Sequence, residues 1–231
     1  MHSLLRSSRP RLWLVCAMAF IPTVALPAQS PNARHAGATT PTVMRKTEIL
    51  VAVSEPAERF AAARAALARN DRARAAVDIR DAATFVRGQA AVATGTVKTD
   101  LEEAARDLDR IEMRVRKGTL KTPRELDAAL RRSDRGLARH HFERAVGAWE
   151  RRETAKAGRE IRLAAHYTER LAKDAGTGVE RVTRDVVRGT RTLSAKLIDG
   201  VGWTSDEVGN AFGKLGHEID RLGADVGPRR G

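Results

Sequence analysis

The chain has 231 residues, 42 lysines and arginines against 29 aspartates and glutamates, a formal charge of +13, and one cysteine. A single cysteine excludes an intrachain disulfide and a thiolate metal cluster. The charges interleave, as in Asp100, Glu102, Glu103, Arg106, Asp107, Arg110 and Arg114, which is the pattern of solvated helix faces and not of a nucleic-acid patch.

Residues 1–28 carry Arg6, Arg9 and Arg11, then an apolar core from Leu12 to Ile21, then small residues at Thr23, Ala25 and Ala28. This is the layout of a cleaved signal peptide. An apolar bilayer span needs about 20 residues, so an uncleaved N-terminal anchor is the alternative. Val15 before Cys16 does not fit a lipoprotein signal. The expected location is therefore outside the cytoplasm, periplasmic or extracellular. Residues 29–43, small, polar and proline-containing, read as a disordered linker. Residues 44–175 read as a helical bundle and 176–226 as a glycine-rich amphipathic tail.

Glu48 to Val53 is short and β-branched, and suits either an extended segment or a first helical turn. Ser54 and Pro56 then open a helix, Asp71 opens the next, and Gly118 ends the third. Thr122-Pro123-Arg124-Glu125 is a reciprocal N-terminal box with proline at the first helical position. The same box recurs at Thr99 to Glu102, Thr177 to Glu180 and Thr204 to Glu207. Apolar stripes of helical spacing lie between these marks: Leu101, Leu108, Ile111 and Val115; Leu126, Leu130, Leu137, Ala145 and Ala148; Ala157, Ile161, Ala164 and Leu171. The fold class expected is all-α, an antiparallel bundle.

Residues 60–87 align without a gap on 142–169, at an offset of 82, with 10 identities in 28 positions. Phe60/Phe142, Arg69/Arg151, Ile79/Ile161 and Arg80/Arg162 are identical, and Asp78/Glu160 and Phe85/Tyr167 are like for like. Each copy reads as a helical hairpin with alanine along its seam. The arrangement Ala63, Ala66, Leu67, Asp71, Ala75, Ile79, Ala82 in an exported helical chain resembles the bacterial YfdX family over residues 54–174. That resemblance implies an exported helical protein associated with envelope stress, and brings no functional residues with it.

Motifs for catalysis are missing from the sequence. Leu137, Ala138, Leu163 and Lys214 stand three residues before His140, His141, His166 and His217, where di-iron bundles need glutamate. Gly176-Thr177-Gly178 lacks the third glycine of a dinucleotide loop and the lysine of a P-loop, and reads as a linker. His140 or His141 can reach the height of His166 across a hairpin, but partly exposed polar histidines are the reading preferred here. No catalytic residue, metal or cofactor is expected.

In the tail, Val179, Val182, Val186, Thr190, Leu193, Leu197 and Val201 follow an eleven-residue drift. Beyond Gly200-Val201-Gly202, the seam Val208, Phe212, Leu215, Ile219, Leu222 keeps heptad spacing. Gly209, Gly213, Gly216 and Gly223 form a second stripe one residue, about 100°, round the helix. Glycine inside a helix costs about 1 kcal/mol relative to alanine. Either a surface presses on these glycines or the tail stays unfolded until it meets a partner. The first is preferred, so the nine residues of seam and stripe are the expected contact surface, pressed by the protein's own bundle, a second copy or another envelope protein. A membrane surface is the alternative. Arg181, Arg184, Arg188, Arg191 and Lys196 favour it, whereas Asp206, Glu207, Glu218 and Asp220 oppose it. The sequence thus points to an exported, non-enzymatic binding or scaffolding protein of the cell envelope.

Overall fold

The computed structural model describes residues 57–174 and 181–224. Helix α1 covers residues 57–68 and is followed by α2 (Arg72–Val92), α3 (Gly95–Arg116), α4 (Pro123–Glu150), α5 (Thr154–Asp174), α6 (Arg181–Asp199) and α7 (Ser205–Ala224). These helices pack antiparallel in sequence, and there is no strand among the described residues. The segments read as signal peptide, linker and Glu48 to Val53 lie outside the described residues, as do the start at Ser54 and the box at Thr177.

Capping chemistry explains most of the helix ends. The Asp71 carboxylate accepts the Arg74 N–H at 3.0 Å and opens α2. Gly118, at φ +67°, ends α3 in the left-handed turn that glycine enters without steric cost. Thr122 caps α4 with proline following, and its N–H donates to Glu125 Oε1 at 3.2 Å. Thr204 Oγ1 accepts the Glu207 N–H at 3.2 Å at the start of α7. Thr99 does not start a helix, which corrects the reading of that box. Helix α3 begins a turn earlier, capped by Thr94, so Thr99 to Glu102 lies within it.

The two hairpins share one turn at an offset of 82. Asn70 N–H donates to the Leu67 carbonyl and Asp71 N–H to that of Ala66, both at 2.9 Å. Arg152 and Glu153 repeat this on Trp149 and Ala148, again at 2.9 Å. Asn70 and Arg152 hold matching left-handed conformations, φ 59° and 61°. Ala63, Ala66, Ala75, Ile79, Ala82 and Ala83 are buried, and so are Ala145, Ala148, Ala157, Ile161, Ala164 and Ala165. Alanine on both sides of a seam lets two helix backbones approach closely while still excluding water.

A buried acid marks each hairpin at the same place. Asp78 lies 3.6 Å from Arg59 and 3.0 Å from Arg74. Its counterpart Glu160 lies 2.8 Å from both His141 and Arg144, and His141 occupies the position of Arg59. Removing one member of such a pair leaves a buried charge uncompensated, at a cost of about 3–5 kcal/mol.

The C-terminal helices complete the core. Helix α6 lies along α5, and α7 returns over α4 and α5. Ser194 donates to the Gly158 carbonyl at 2.8 Å, and Arg191 bonds Glu169 at 2.7 Å. Trp149 meets Trp203 edge-on at 5.2 Å, while Phe142 and Phe212 pack at 6.2 Å.

Candidate functional site

The expected contact surface divides when it is placed on the fold. Val208, Phe212, Leu215 and Ile219 are buried in the main core, and Leu222 packs with Leu171 and Ala172. The seam of α7 therefore faces its own bundle. Glu218, on the same side, is buried and accepts from Thr183 and from Arg221. The hydrogen bond from Arg221, backed by that from Thr183, holds its carboxyl below the ordinary range despite burial.

The four glycines of the stripe also part company. A Cβ on Gly216 would meet Phe142 Cζ at 2.9 Å, and one on Gly223 would meet Arg135 Nε at 2.5 Å. Those two let α7 lie close on α4. Gly209 and Gly213 are exposed, with no atom within 4 Å of an added Cβ.

Helix α6 is turned relative to the stripe read from its sequence. Its buried residues are Thr183, Val187, Thr190, Leu193, Ser194 and Leu197, while Val182 and Val201 are exposed. The cause is Gly158 on α5. An added Cβ there would lie 2.9 Å from both Leu197 Cβ and the Ser194 carbonyl oxygen. The face carrying small polar residues and Leu197 fits against that gap, and Val182 and Val186 are left turned toward α7. Between α6 and α7 they line a groove of about 770 Å³ with Leu193 and Ala211. Its rim carries Asp185, Glu207 and Lys214, and the buried Glu218 also lines it. Gly189 lies in its wall, again with open space where a Cβ would be.

Of the histidines the sequence reads as partly exposed, His166 is so, whereas His140 and His141 are buried. His140 and His141 are 3% and 5% exposed, because α4 is covered on this side by α5. His141 Nδ1 donates to Glu160, and its ring stacks on Tyr167 at 5.6 Å with 4° between planes. His166 meets the same tyrosine edge-on at 5.5 Å. His141 and His166 thus both pack on one tyrosine, and no group of three or more His, Cys, Asp or Glu residues is placed to hold a metal among the described residues.

Electrostatics in the cluster follow from burial. Desolvation, with the charges of His141 and Arg144, lowers His140 to about 4. Desolvation and the charges of Arg170 and Arg191 lower His166 to about 4. Burial raises the Tyr167 hydroxyl. For Glu160 burial acts upward, but the His141 hydrogen bond and the His141 and Arg144 charges outweigh it and leave the carboxyl below its usual range. His140 Nε2, His166 Nε2 and the Tyr167 hydroxyl are buried without a hydrogen-bond partner among the described residues.

Sequence reasoning overlooked Gly158 and the part played by Glu160. The signal for Glu160 was present: an acid beside the stripe Ala157, Ile161, Ala164, with Ala157, Leu163 and Ala164 at three of its four helical-spacing positions and Lys156 at the fourth. Gly158 carries no such signal, since its reason lies on α6. No helix among the described residues is long and apolar enough to cross a membrane. Compared with protein-family models, curated proteins and solved structures, the chain matches none.

Proposed function

We propose that this chain is an exported, non-enzymatic helical binding protein of the bacterial cell envelope. Its bundle is built on two copies of one hairpin, and its α6–α7 face serves as a scaffold surface for a second copy of the same chain. Export rests on the leader sequence, and a link to envelope stress rests on the resemblance to the YfdX family.

The observation that carries the reading is the groove between α6 and α7 together with the bare glycines beside it. Gly189, Gly209 and Gly213 each forgo about 1 kcal/mol of helix propensity, and nothing among the described residues touches the space they leave. Glycines four apart, as Gly209 and Gly213 are, let a second helix approach closely. The rim offers both signs, Asp185 and Glu207 against Lys214, so two copies related by a two-fold axis can pair each other's charges. The burial of the α7 seam counts against lipid, because its apolar residues are already covered.

Light scattering on the purified protein and on Gly213→Leu tests this. The native chain is expected to form a dimer at tens of micromolar, and the variant a monomer with an unchanged or higher melting temperature. A native chain that stays monomeric but floats with anionic vesicles moves the function to the membrane surface. A chain that is monomeric and unbound removes both readings.

A further inference from the structure

A second concave site lies away from the α6–α7 groove, where the α2–α3 connection meets the end of α4 and the start of α5. It is a cleft of about 230 Å³ whose walls include Thr94, His140, Arg144, Gly147, Arg151 and Lys156. We propose that this cleft binds a phosphate oxyanion, free or as the terminal group of a phosphomonoester.

The first argument is an unsatisfied donor. His140 is 3% exposed, lines the cleft, and its Nε2 has no hydrogen-bond partner among the described residues. A buried polar group left unpaired costs about 1–3 kcal/mol, and an anion oxygen that enters deeply enough to accept from Nε2–H, an atom sealed from solvent here, removes that cost. The neutral ring favoured by its buried setting is competent to donate from one nitrogen.

The second argument is the supply of further donors from three directions. Arg144 meets Glu160 through Nη2, and Arg151 meets Glu153 through Nε, so each guanidinium keeps other N–H groups unengaged by those partners. Lys156 lies 2.8 Å from Glu153 and keeps spare ammonium protons. Glu143 is the one carboxylate in the wall, and it lies 3.5 Å from Arg139. Thr94 is the N-cap of α3 but makes no capping bond with its side chain. That leaves its hydroxyl available, at the end of a 22-residue helix where an anion is favoured.

The third argument is the wall itself. A Cβ on Gly147 would stand 3.2 Å from Arg151 Nη1, so glycine allows the guanidinium to fold against the cleft. The other hairpin has Glu58, Ala62 and Ala65 where this one has His140, Arg144 and Gly147. His140, Arg144 and Gly147 are therefore particular to the second hairpin, whereas Arg151 and Lys156 have basic counterparts in Arg69 and Arg74. A tetrahedral oxyanion fits donors arriving from α4, α5 and the α2–α3 connection better than a planar carboxylate, which presents acceptors in one plane.

Titration of the full protein with inorganic phosphate at pH 7, followed by the His140 side-chain nitrogen signals and by calorimetry, tests the proposal. Saturable binding that shifts His140 is expected. Arg151→Gln with Lys156→Gln, both on the surface, is expected to weaken it at least tenfold, while Arg188→Gln on α6 leaves it unchanged. A parallel titration with phosphatidate vesicles identifies the source: a His140 shift with phosphate alone marks a free anion, one with vesicles alone marks a lipid headgroup. No shift with either, or equal binding by the double variant, overturns the site.

Discussion

His140 is buried and His166 half-buried with its Nε2 enclosed, both favoured as neutral rings, and this sets how the protein responds to acid. Around His140 the charged neighbours are His141 and Arg144 on α4 and Glu160 on α5. Around His166 they are Glu169, Arg170 and Lys173 on α5 and Arg191 on α6. Each folded value is about 4 against an unfolded value of 6.5, so between those limits the unfolded chain binds more protons. The contribution is full above pH 6.5 and is lost as pH falls toward 4, with a slope approaching about 1.4 kcal/mol per pH unit for each histidine. Glu112, Glu160 and Glu218, all held below the ordinary carboxylate value of 4.5, add losses of the same sign only lower down. Urea denaturation at pH 7.0, 6.0 and 5.0 should show stability falling across a range where ordinary carboxylates do not titrate. His140→Leu should reduce that slope by the share of one proton, and an unchanged slope would mean that the ring is protonated in the folded protein.

At the scale of helices, the glycines test which contacts hold the elements together. Gly158→Ala is expected to destabilise by about 1–3 kcal/mol, because its Cβ meets a carbonyl oxygen of α6 that has no rotamer to give. That outweighs the gain of about 1 kcal/mol in helix propensity. Gly209→Ala, facing open space, is expected to stabilise by up to that amount. Chemical denaturation of both variants, run dilute enough to keep the chain monomeric, checks the opposite signs. This pair also shows what the sequence made legible. Helix starts at Asp71, Thr122 and Thr204 could be read because a cap is local: one side chain bonds an amide two or three residues on. Thr99 misled because the same residues fit inside a helix, with Thr94 a turn earlier as the actual boundary. The stripes of α3, α4 and α5 were legible because every apolar residue in them is buried, with polar groups such as His140, His141 and Glu160 lying beside them. The rotation of α6 was not, since it depends on a gap at Gly158, on another helix. The burial of His140 and His141 was hidden for the same reason, as adjacent histidines take their exposure from whatever lies across from them.

For the molecule as a whole, the question is whether α6 and α7 are an appendage or part of the core. The sequence set residues 176–226 apart as a tail, because glycines and a break at Gly200 to Gly202 separate its pattern from the bundle's. In the fold, Leu193, Leu197, Val208, Leu215 and Ile219 share one cluster with Leu130, Leu137 and Ile161. Arg139 of α4 bonds Asp220, Lys196 of α6 bonds Glu207 of α7 at 2.6 Å, and Thr183 joins Glu218 across the same pair. Segments that bury residues in a common core open together, so their amides exchange at the free energy of global unfolding, whereas an appended helix frays at far lower cost. Native-state hydrogen exchange should therefore place the amides of Leu193, Leu197 and Leu215 in the same slow class as those of Leu137 and Ile161. Amides at Val182 and Gly209, on the exposed face, should open at lower free energy through local fluctuation. Exchange of the whole of α7 at coil rates, with α4 and α5 still protected, would show that the last helix is held only by its own weak propensity and that the close approach at Gly216 does not form. Slow exchange at Leu215 alongside fast exchange at Gly209 is the pattern that a helix anchored on one side, and bare on the other, must give.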